Sequence, residues 1–418
     1  MFETYKILRF ISALFIIGSS TSCVELFDAK TDAFENTLVI DALLTTELKQ
    51  HKVTLFRTYT FEAEGPATEI GSLVEIMDNT GNTYRFKESE PGVYLSETPF
   101  AAQLETGYTL NVQTNDGKSY RSSTVTTPEN IPIEEITAKR LVNDKGEEGI
   151  SILLDNNASP GKPRYFRYEY EETYKIIAPK YDPFEFEIID YTPCDGNFYE
   201  VGIKPRTEEQ RVCFGSALST QLIQASTVSL SNNIVDDFVI RFISRDNYIM
   251  SHRYSIMVRQ YSQTQDAYSY YERLGDFSSS DNVFSQVQPG FLEGNIASGT
   301  GQEDKVLGYF EVAAINEKRT YFNYTDLFQG EALPPYAVNC ETVRNPELIT
   351  RGYHCDGSVC DGACESPLIE AILAGIVVFH SENENLTPNN PGPYFTLPSP
   401  CGDCTKLGSN IVPDFWEE

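Results

Sequence analysis

Val74-Glu75-Ile76-Met77-Asp78-Asn79-Thr80-Gly81-Asn82-Thr83-Tyr84-Arg85-Phe86 is the stretch that decides the fold of this chain. Apolar side chains alternate with polar ones on both sides of an Asp-Asn-Thr-Gly-Asn segment. That pattern is typical of two antiparallel β-strands joined by a hairpin turn. Because successive side chains of a strand point to opposite faces, the stretch predicts a sheet with one buried face.

The flanking sequence repeats this pattern on both sides of the hairpin. Apolar strand positions occur at Leu38-Val39-Ile40, at Pro91-Gly92-Val93-Tyr94-Leu95 and at Thr109-Leu110-Asn111-Val112, which runs into the turn Asn115-Asp116-Gly117. No long helical pattern separates these segments. Strands at this spacing predict an N-terminal immunoglobulin-like sandwich over residues 37–130, with a linker from Pro128 to Pro132.

Residues 133–330 predict a second, larger β-rich domain. Between Tyr165 and Tyr174 the side chains alternate, with Phe166, Tyr168 and Tyr170 on one face and Arg167, Glu169 and Glu171 on the other. A further strand is predicted at Val306–Val312.

One short helix is predicted in this second domain. Thr264 is a suitable N-cap, and Gly275 is a residue type that commonly ends a helix. Ala267, Tyr271 and Leu274 share one helical face.

Residues 331–418 predict a disulfide-stapled, cysteine-rich region packed on the second domain. The apolar run 369–379 is too short to cross a bilayer, which takes roughly 20 residues, so we expect it to be buried in the core. The fold class is therefore mostly β.

The N-terminus has the features of a bacterial lipoprotein signal. Lys6 and Arg9 precede a short apolar run, small residues follow, and Cys23 stands at the cleavage point. Residues 1–22 are interpreted as the signal peptide, Cys23 as the lipidation site and residues 23–36 as a lipidated tether. A cleaved signal with an incidental cysteine, or a membrane-anchored N-terminus, are the alternatives, since Ser20 stands where such signals usually carry leucine.

The cysteine count agrees with export. Nine cysteines minus an acylated Cys23 leave an even number, which favours four disulfides in an oxidising compartment. Cys194 and Cys213 are close in sequence and are predicted to pair, and the other six are predicted to form a C-terminal knot. The eight cysteines are Cys194, Cys213, Cys340, Cys355, Cys360, Cys364, Cys401 and Cys404.

Two other interpretations of these cysteines remain open. The cluster from His354 to Cys364, with Cys401-Gly402-Asp403-Cys404, has spacing that is compatible with zinc. Cys401 and Cys404 also have the CxxC spacing of a redox site. The predicted oxidising compartment favours disulfides over both, so no metal site and no cofactor are predicted.

The charge and the motifs restrict the function. A net charge of −29 argues against nucleic acid and against adhesion to anionic lipid, since both need a basic surface. The sequence contains no HExxH, no GxSxG elbow, no Walker loop and no GxGxxG before a helix. Paired carboxylates for glycosidase chemistry have no diagnostic spacing, so that chemistry stays open.

Tyrosines are the candidate binding residues. Tyrosine suits binding faces because it has an apolar ring and a polar tip. The alternative is that these side chains belong to the core and the sheet surface. The candidates are Tyr165, Tyr168, Tyr170, Tyr268 and Tyr271.

Several short blocks together resemble one family. They are Gly294-Asn295-Ile296, Val306-Leu307-Gly308-Tyr309-Phe310 with Lys318-Arg319, Cys401-Gly402-Asp403-Cys404, Gly408-Ser409-Asn410 and Pro413-Asp414-Phe415-Trp416. With the lipoprotein start, the chain resembles the Bacteroidota outer-membrane lipoproteins called domain of unknown function 4249. The resemblance implies a structural role for Cys401 and Cys404. Family members are often encoded beside TonB-dependent receptors.

We therefore expect a non-enzymatic lipoprotein of the outer membrane, anchored through acyl chains on the cell-surface or periplasmic face. It would be an accessory or substrate-capture partner of a TonB-dependent receptor. A surface hydrolase acting on glycan or peptide, and a structural envelope or adhesion component, are the alternatives.

Overall fold

A computed structural model describes residues 36–58, 65–156, 164–192, 198–228, 234–279, 292–299, 305–349 and 366–418. Most strands in these ranges belong to one large sheet, in the order β15-β12-β18-β20-β1-β2-β6-β5-β4-β7-β8-β19, with β3, β9 and β16 paired beside it. The first nine strands are β1 (Leu38–Thr45), β2 (Lys52–Arg57), β3 (Ala67–Thr68), β4 (Leu73–Asp78), β5 (Thr83–Glu90), β6 (Val93–Ser96), β7 (Gly107–Gln113), β8 (Ser119–Ser122) and β9 (Val125–Thr126).

Six later strands complete the large sheet, and all of them except β19 contribute to the second core. They are β12 (Tyr165–Ile177), β15 (Val212–Leu218), β16 (Ile223–Ser226), β18 (Arg253–Gln263), β19 (Ile296–Ser298) and β20 (Val306–Asn323). Three smaller sheets contain β10 (Ile133–Val142), β11 (Glu148–Asn156) and β17 (Phe238–Ser244); β13 (Phe184–Thr192) and β14 (Phe198–Pro205); and β21 (Val377–Glu382) and β22 (Tyr394–Pro398).

Helices are short. They are α1 (Gln265–Ser279), α2 (Tyr324–Leu327) and α3 (Pro367–Leu373), with 3₁₀ turns at Tyr248–Met250, Ser399–Cys401 and Cys404–Lys406. Within the described ranges, none of the helices combines the length and the apolar character that crossing a membrane requires. The predicted fold class, mostly β with a short helix and C-terminal disulfides, is confirmed.

The predicted hairpin forms as expected. Val74 pairs with Phe86 and Ile76 with Tyr84, so their side chains face the first core. Asp78 accepts hydrogen bonds from the backbone N–H groups of Thr80 and Asn82, both at 2.9 Å. Burial raises the pKa of Asp78, but the hydrogen bonds from Asn82 and Thr80 outweigh it and lower this pKa to about 2. The turn carboxylate therefore stays ionised and closes the hairpin.

The N-terminal strands enclose one core together with Ile296 of β19 and the first part of β20. Leu38 and Ile40 of β1 share this core with Leu110 and Val112 of β7, although the two strands are not neighbours in the sheet. Strands that are distant in the sheet can share a core because the sheet folds back on itself. This arrangement agrees with the predicted immunoglobulin-like sandwich.

His51 lies inside this first core, with 1% of its surface exposed, and its Nε2 is 2.8 Å from the carbonyl oxygen of Phe100. Burial lowers the pKa of the imidazole below its usual value of about 6.5. Below that pH the unfolded chain binds a proton that the folded chain resists. We therefore expect the free energy of unfolding to fall with decreasing pH, by at most about 1.4 kcal/mol per pH unit for this one proton.

Urea unfolding of the wild type and of His51→Gln between pH 7 and pH 5 measures this effect. The wild type should lose more stability than the variant over that interval. The stability of the variant should still depend on pH to some extent, because burial lowers the pKa of His252 as well. Equal slopes in the two proteins would contradict the assignment to His51.

Strand β20 joins the two halves of the chain. Its first part pairs in parallel with β1, and its second part pairs antiparallel with β18. Gly308 has a φ of 105°, and a Cβ there would lie 1.9 Å from the carbonyl oxygen of Ile40. Asn295 holds the same strand through two hydrogen bonds to the backbone of Phe310, at 2.8 and 2.9 Å. The block Gly294-Asn295-Ile296 thus contacts the block Val306-Leu307-Gly308-Tyr309-Phe310 directly.

Helix α1 begins as predicted but ends later. The hydroxyl of Thr264 accepts a hydrogen bond from the N–H of Ala267 at 3.2 Å, which caps the first turn. The expectation that Gly275 ends the helix is wrong, because the helix continues to Ser279. A Cβ at Gly275 would lie 3.1 Å from the Leu222 side chain, so the glycine gives room for close packing.

Among the described residues, two disulfides hold the C-terminal region. Cys213 bonds to Cys404, and Cys340 bonds to Cys401. The predicted pairing of Cys194 with Cys213 is therefore wrong, and so is a knot confined to the six C-terminal cysteines. The physical reason is that the last residues of the chain run beside β15, where Phe214 and Ser409 exchange backbone hydrogen bonds.

Cys401 and Cys404 form disulfides with different partners, so they are not a CxxC redox pair. Their structural role agrees with what the resemblance implies. The remaining cysteines, Cys23, Cys194, Cys355, Cys360 and Cys364, lie outside the described residues.

The apolar run 369–379 is buried only in part. Ile369, Val378 and Phe379 lie in the core, but Leu373 and Ile376 are 61% and 59% exposed. The run is not one element, because α3 ends inside it and β21 begins after the turn at Gly375, whose φ is 64°. The expectation of a fully buried segment is corrected accordingly.

Candidate functional site

A pocket opens where the edge of β12 is interrupted. Strand β15 pairs with β12 as far as Glu171, and β16 resumes the pairing at Tyr168. Residues 219–222 bulge outward between these two strands. Ser219 anchors the bulge, since its N–H donates to the carbonyl of Tyr170 at 2.8 Å and its hydroxyl accepts from the N–H of Tyr170 at 3.1 Å.

We call this cavity the β12-edge pocket. Its volume is about 350 Å³. Its lining combines two arginines, one glutamate, hydroxyl and amide groups, and two exposed leucines. The lining residues are Arg167, Tyr168, Glu169, Tyr170, Leu218, Ser219, Thr220, Gln221, Leu222 and Arg259.

Arg167 anchors the charged wall of the pocket. Its Nη2 lies 3.2 Å from Oε2 of Glu311, a carboxylate with no exposed surface, and its Nη1 donates to Glu169. Gln263 donates a further hydrogen bond to Oε1 of Glu311 at 2.7 Å. Burial lowers the pKa of Arg167, but the charge of Glu311 outweighs it, so the pKa rises. Arg167 therefore keeps its charge although it is buried.

Two tyrosine rings enclose the Arg167 guanidinium. Its Cζ lies 4.3 Å from the ring centre of Tyr261 and 5.2 Å from that of Tyr271 on α1. A cation over an aromatic face is attracted by the ring, more strongly where water is excluded. The hydroxyl of Tyr261 also donates to Glu169 at 2.9 Å. Arg167 and Glu169 are therefore held in place before any ligand arrives.

The second arginine of the wall is also neutralised. Arg259 forms an ion pair with Glu317, which lies opposite it on β20. Each charge in the pocket wall thus has a counter-charge within hydrogen-bond reach. Such a wall suits recognition of a ligand by hydrogen bonds, since paired groups keep donors and acceptors in fixed positions.

The predicted tyrosines are not brought together into one platform. Tyr165 and Tyr268 contact each other, with ring centres 5.2 Å apart, and Tyr271 covers Arg167. Tyr168 and Tyr170 lie on the opposite face of β12. The Tyr168 side chain is buried in the second core, and Tyr170 lies beneath the guanidinium of Arg241 at 5.8 Å.

Sequence reasoning missed the charged members of the site. It assigned Arg167 and Glu169 to the polar face of β12 but gave them no role. Glu311 carries the clearest signal in retrospect, because it is the single charge inside the apolar stretch Val306–Val312. A lone carboxylate in a buried strand needs a partner, and that partner is Arg167.

Metal binding has no candidate in the described part of the chain, where no three histidine, cysteine, aspartate or glutamate residues are grouped to hold an ion. The cysteine cluster from Cys355 to Cys364 lies outside that part.

Comparison with known proteins identifies a family. The sequence model of the family described as Domain of unknown function (DUF4249) matches residues 24–319, which includes the Gly294–Arg319 blocks and stops before the Cys401–Trp416 ending. No curated protein matches the chain.

Two solved structures show a distant likeness. The crystal structure of chicken CNTN1 FN1-FN3 domains has 9% identity and a TM-score of 0.18, and covers 54% of this chain and 62% of that chain. The structure of the Yersinia pseudotuberculosis adhesin InvE has 13% identity and a TM-score of 0.15, and covers 75% of this chain and 68% of that chain. The chain thus spans less than two thirds of the chicken structure. Similarity this low supports no argument about function.

Proposed function

The chain belongs to the DUF4249 family, and from this premise we propose that it is a non-enzymatic, lipid-anchored accessory protein that captures a substrate for a TonB-dependent receptor of the outer membrane. The observation that carries the proposal is the β12-edge pocket. Its polar groups are fixed by ion pairs and aromatic contacts, as preorganised binding sites require.

The lining favours binding over hydrolysis. A glycosidase needs two carboxyl groups, one on each side of the scissile bond. The β12-edge pocket offers one, Glu169, and that carboxylate is engaged by Arg167 and Tyr261. Hydroxyl and amide groups at Ser219, Thr220 and Gln221 instead provide neutral donors and acceptors for a polar ligand.

The anchor follows from the N-terminal sequence. Cleavage of the signal peptide after residue 22 leaves Cys23 as the new N-terminal residue, with a thioether-linked diacylglyceryl group on its sulfur. Each buried methylene contributes about 0.8 kcal/mol, so two or three acyl chains hold the protein stably on the membrane.

Purification of the tagged chain from outer membranes at native expression tests the proposal. We expect the mature chain to begin at an acylated Cys23 and to be recovered together with a TonB-dependent barrel receptor, as identified by mass spectrometry. Cys23→Ser should move the protein to the soluble fraction and remove the receptor. An unacylated N-terminus, or recovery of the wild type without a barrel partner, would refute the proposal.

The pocket itself is tested in the same preparation. Gln221→Trp fills the β12-edge pocket from its exposed rim. The control, Gln103→Trp, places the same bulk at an exposed glutamine just before β7, outside the pocket. Native mass spectrometry should find a small molecule bound to the wild type and to the Gln103→Trp control, but not to Gln221→Trp. Equal occupancy of the two variants would exclude this pocket as the capture site.

A further inference from the structure

A second cavity lies in the C-terminal region, between the β13–β14 hairpin, α3 and β21. We call it the C-terminal pocket. Its volume is about 140 Å³, and it shares no lining residue with the β12-edge pocket. Apolar walls come from Phe186, Ile372, Val377, Val378 and Phe379, and the polar lining is Glu185, Arg206, Gln210, Ser399, Asp403 and Lys406, with Gly375 beside them.

Arg206 has unused hydrogen-bond donors in this pocket. Its side chain is 4% exposed. Nε donates to the carbonyl of Asp182 at 2.9 Å, but Nη1 lies 3.9 Å from Glu185 Oε2, which is beyond hydrogen-bond distance. Among the described residues, neither Nη1 nor Nη2 has a hydrogen-bond acceptor. The guanidinium also lies 5.7 Å from the ring centre of Tyr181, and its two Nη atoms are available to a ligand in the pocket.

Two acceptors in the same pocket, Glu185 and Gln210, also make no side-chain hydrogen bond to a described residue. The carboxylate oxygens of Glu185 lie 3.8 Å from Lys204 and 3.9 Å from Arg206, so neither makes a hydrogen bond to these cations. The side-chain oxygen of Gln210 is buried and has no hydrogen-bond partner among the described residues. Asp403 differs from them, because its Oδ1 accepts from the N–H and the hydroxyl of Thr405.

A ligand that binds both the Arg206 donors and the Glu185 and Gln210 acceptors must carry a negative and a positive group close together. A carboxylate matches the planar donor fork of arginine, and an ammonium matches a carboxylate and an amide oxygen. The volume equals that of about five water molecules, which is the size range of the smallest amino acids. The apolar walls suit a methylene or methyl group.

We propose that the C-terminal pocket binds a small zwitterionic amino acid. Arg206 holds its carboxylate, and Glu185 with Gln210 holds its ammonium group. The two disulfides fix one wall of the pocket, because Asp403 lies between Cys401 and Cys404. This site is separate from the capture site and does not depend on the proposed function.

Isothermal titration calorimetry of the full chain with L-alanine tests the proposal. Saturable binding is expected, while propionate and ethylamine, which each lack one of the two charges, should bind at least about tenfold more weakly. Glycine should behave like alanine, and leucine should bind more weakly because its side chain exceeds the cavity. Absence of saturable alanine binding at millimolar concentration overturns the proposal, and so does equal affinity for propionate.

Variants locate the site. Arg206→Gln should weaken alanine binding at least about tenfold, whereas Arg211→Gln, at an exposed arginine nearby in the chain, should leave it unchanged. Gln210→Leu keeps Arg206 and its hydrogen bond to Asp182, so it distinguishes a loss of ligand contact from a loss of folding stability. It should also weaken alanine binding at an unchanged melting temperature. Wild-type affinity in both Arg206→Gln and Gln210→Leu would overturn the assignment.

Discussion

Glu311→Ala is expected to lower the free energy of unfolding by about 3–5 kcal/mol. The substitution leaves the guanidinium of Arg167, whose side chain is 9% exposed, without its buried counter-charge. It also removes the acceptor of the Gln263 amide. Removing one partner of a buried ion pair costs more than the pair contributes, because the remaining charge stays desolvated. Urea unfolding measures the loss directly.

Two control variants make this result specific. Glu317→Ala removes the carboxylate of the neighbouring ion pair with Arg259. The Glu317 side chain is 36% exposed and that of Arg259 is 37% exposed, so the free energy of unfolding should fall by at most about 1 kcal/mol. The double variant Arg167→Met with Glu311→Leu removes both charges and should be more stable than Glu311→Ala alone. A loss for Glu311→Ala no larger than that for Glu317→Ala would show that Arg167 is not desolvated.

The second large effect is expected for the Cys213–Cys404 disulfide. Replacing both cysteines by alanine should lower the free energy of unfolding by about 2–5 kcal/mol, mainly because the unfolded chain gains freedom. The bond joins residues 191 positions apart, and both cysteines are fully buried.

The Cys340–Cys401 disulfide provides a matched comparison, since its partners are 61 positions apart. Chain entropy predicts a loss about 1 kcal/mol smaller for Cys340→Ala with Cys401→Ala. Unfolding midpoints of the two double variants under identical non-reducing conditions decide the order. A larger loss for the shorter loop would mean that local packing, rather than chain entropy, sets the effect.

Local signals in the sequence were sufficient for local structure. The turn at Asp78–Asn82 and the N-cap at Thr264 depend on hydrogen bonds within a few residues, so the residue types alone predict them. The alternation of Phe166 and Tyr168 with Arg167 and Glu169 was likewise correct, because the side-chain period of a strand is fixed by its geometry. Such features need no knowledge of the rest of the chain.

The candidate sites needed more than local signals. The alternation in β12 separated two faces but did not show that α1 covers Arg167 with Tyr271. Nor does any sequence spacing bring Glu185, Arg206 and Gln210 to the end of α3. The tyrosine prediction failed to give one platform for the same reason, since residues on one strand alternate between opposite faces.

By itself the sequence determined the mostly β fold, the hairpin of β4 and β5 and the family to which the chain belongs, because alternation, turns and short motifs depend on neighbouring residues. The tertiary structure alone decided that Cys213 bonds to Cys404, that Glu311 is buried against Arg167 and that β20 unites two cores. The reason is that strand pairing in a large sheet brings together residues that are far apart along the chain, and burial then fixes which charges and thiols must find one another.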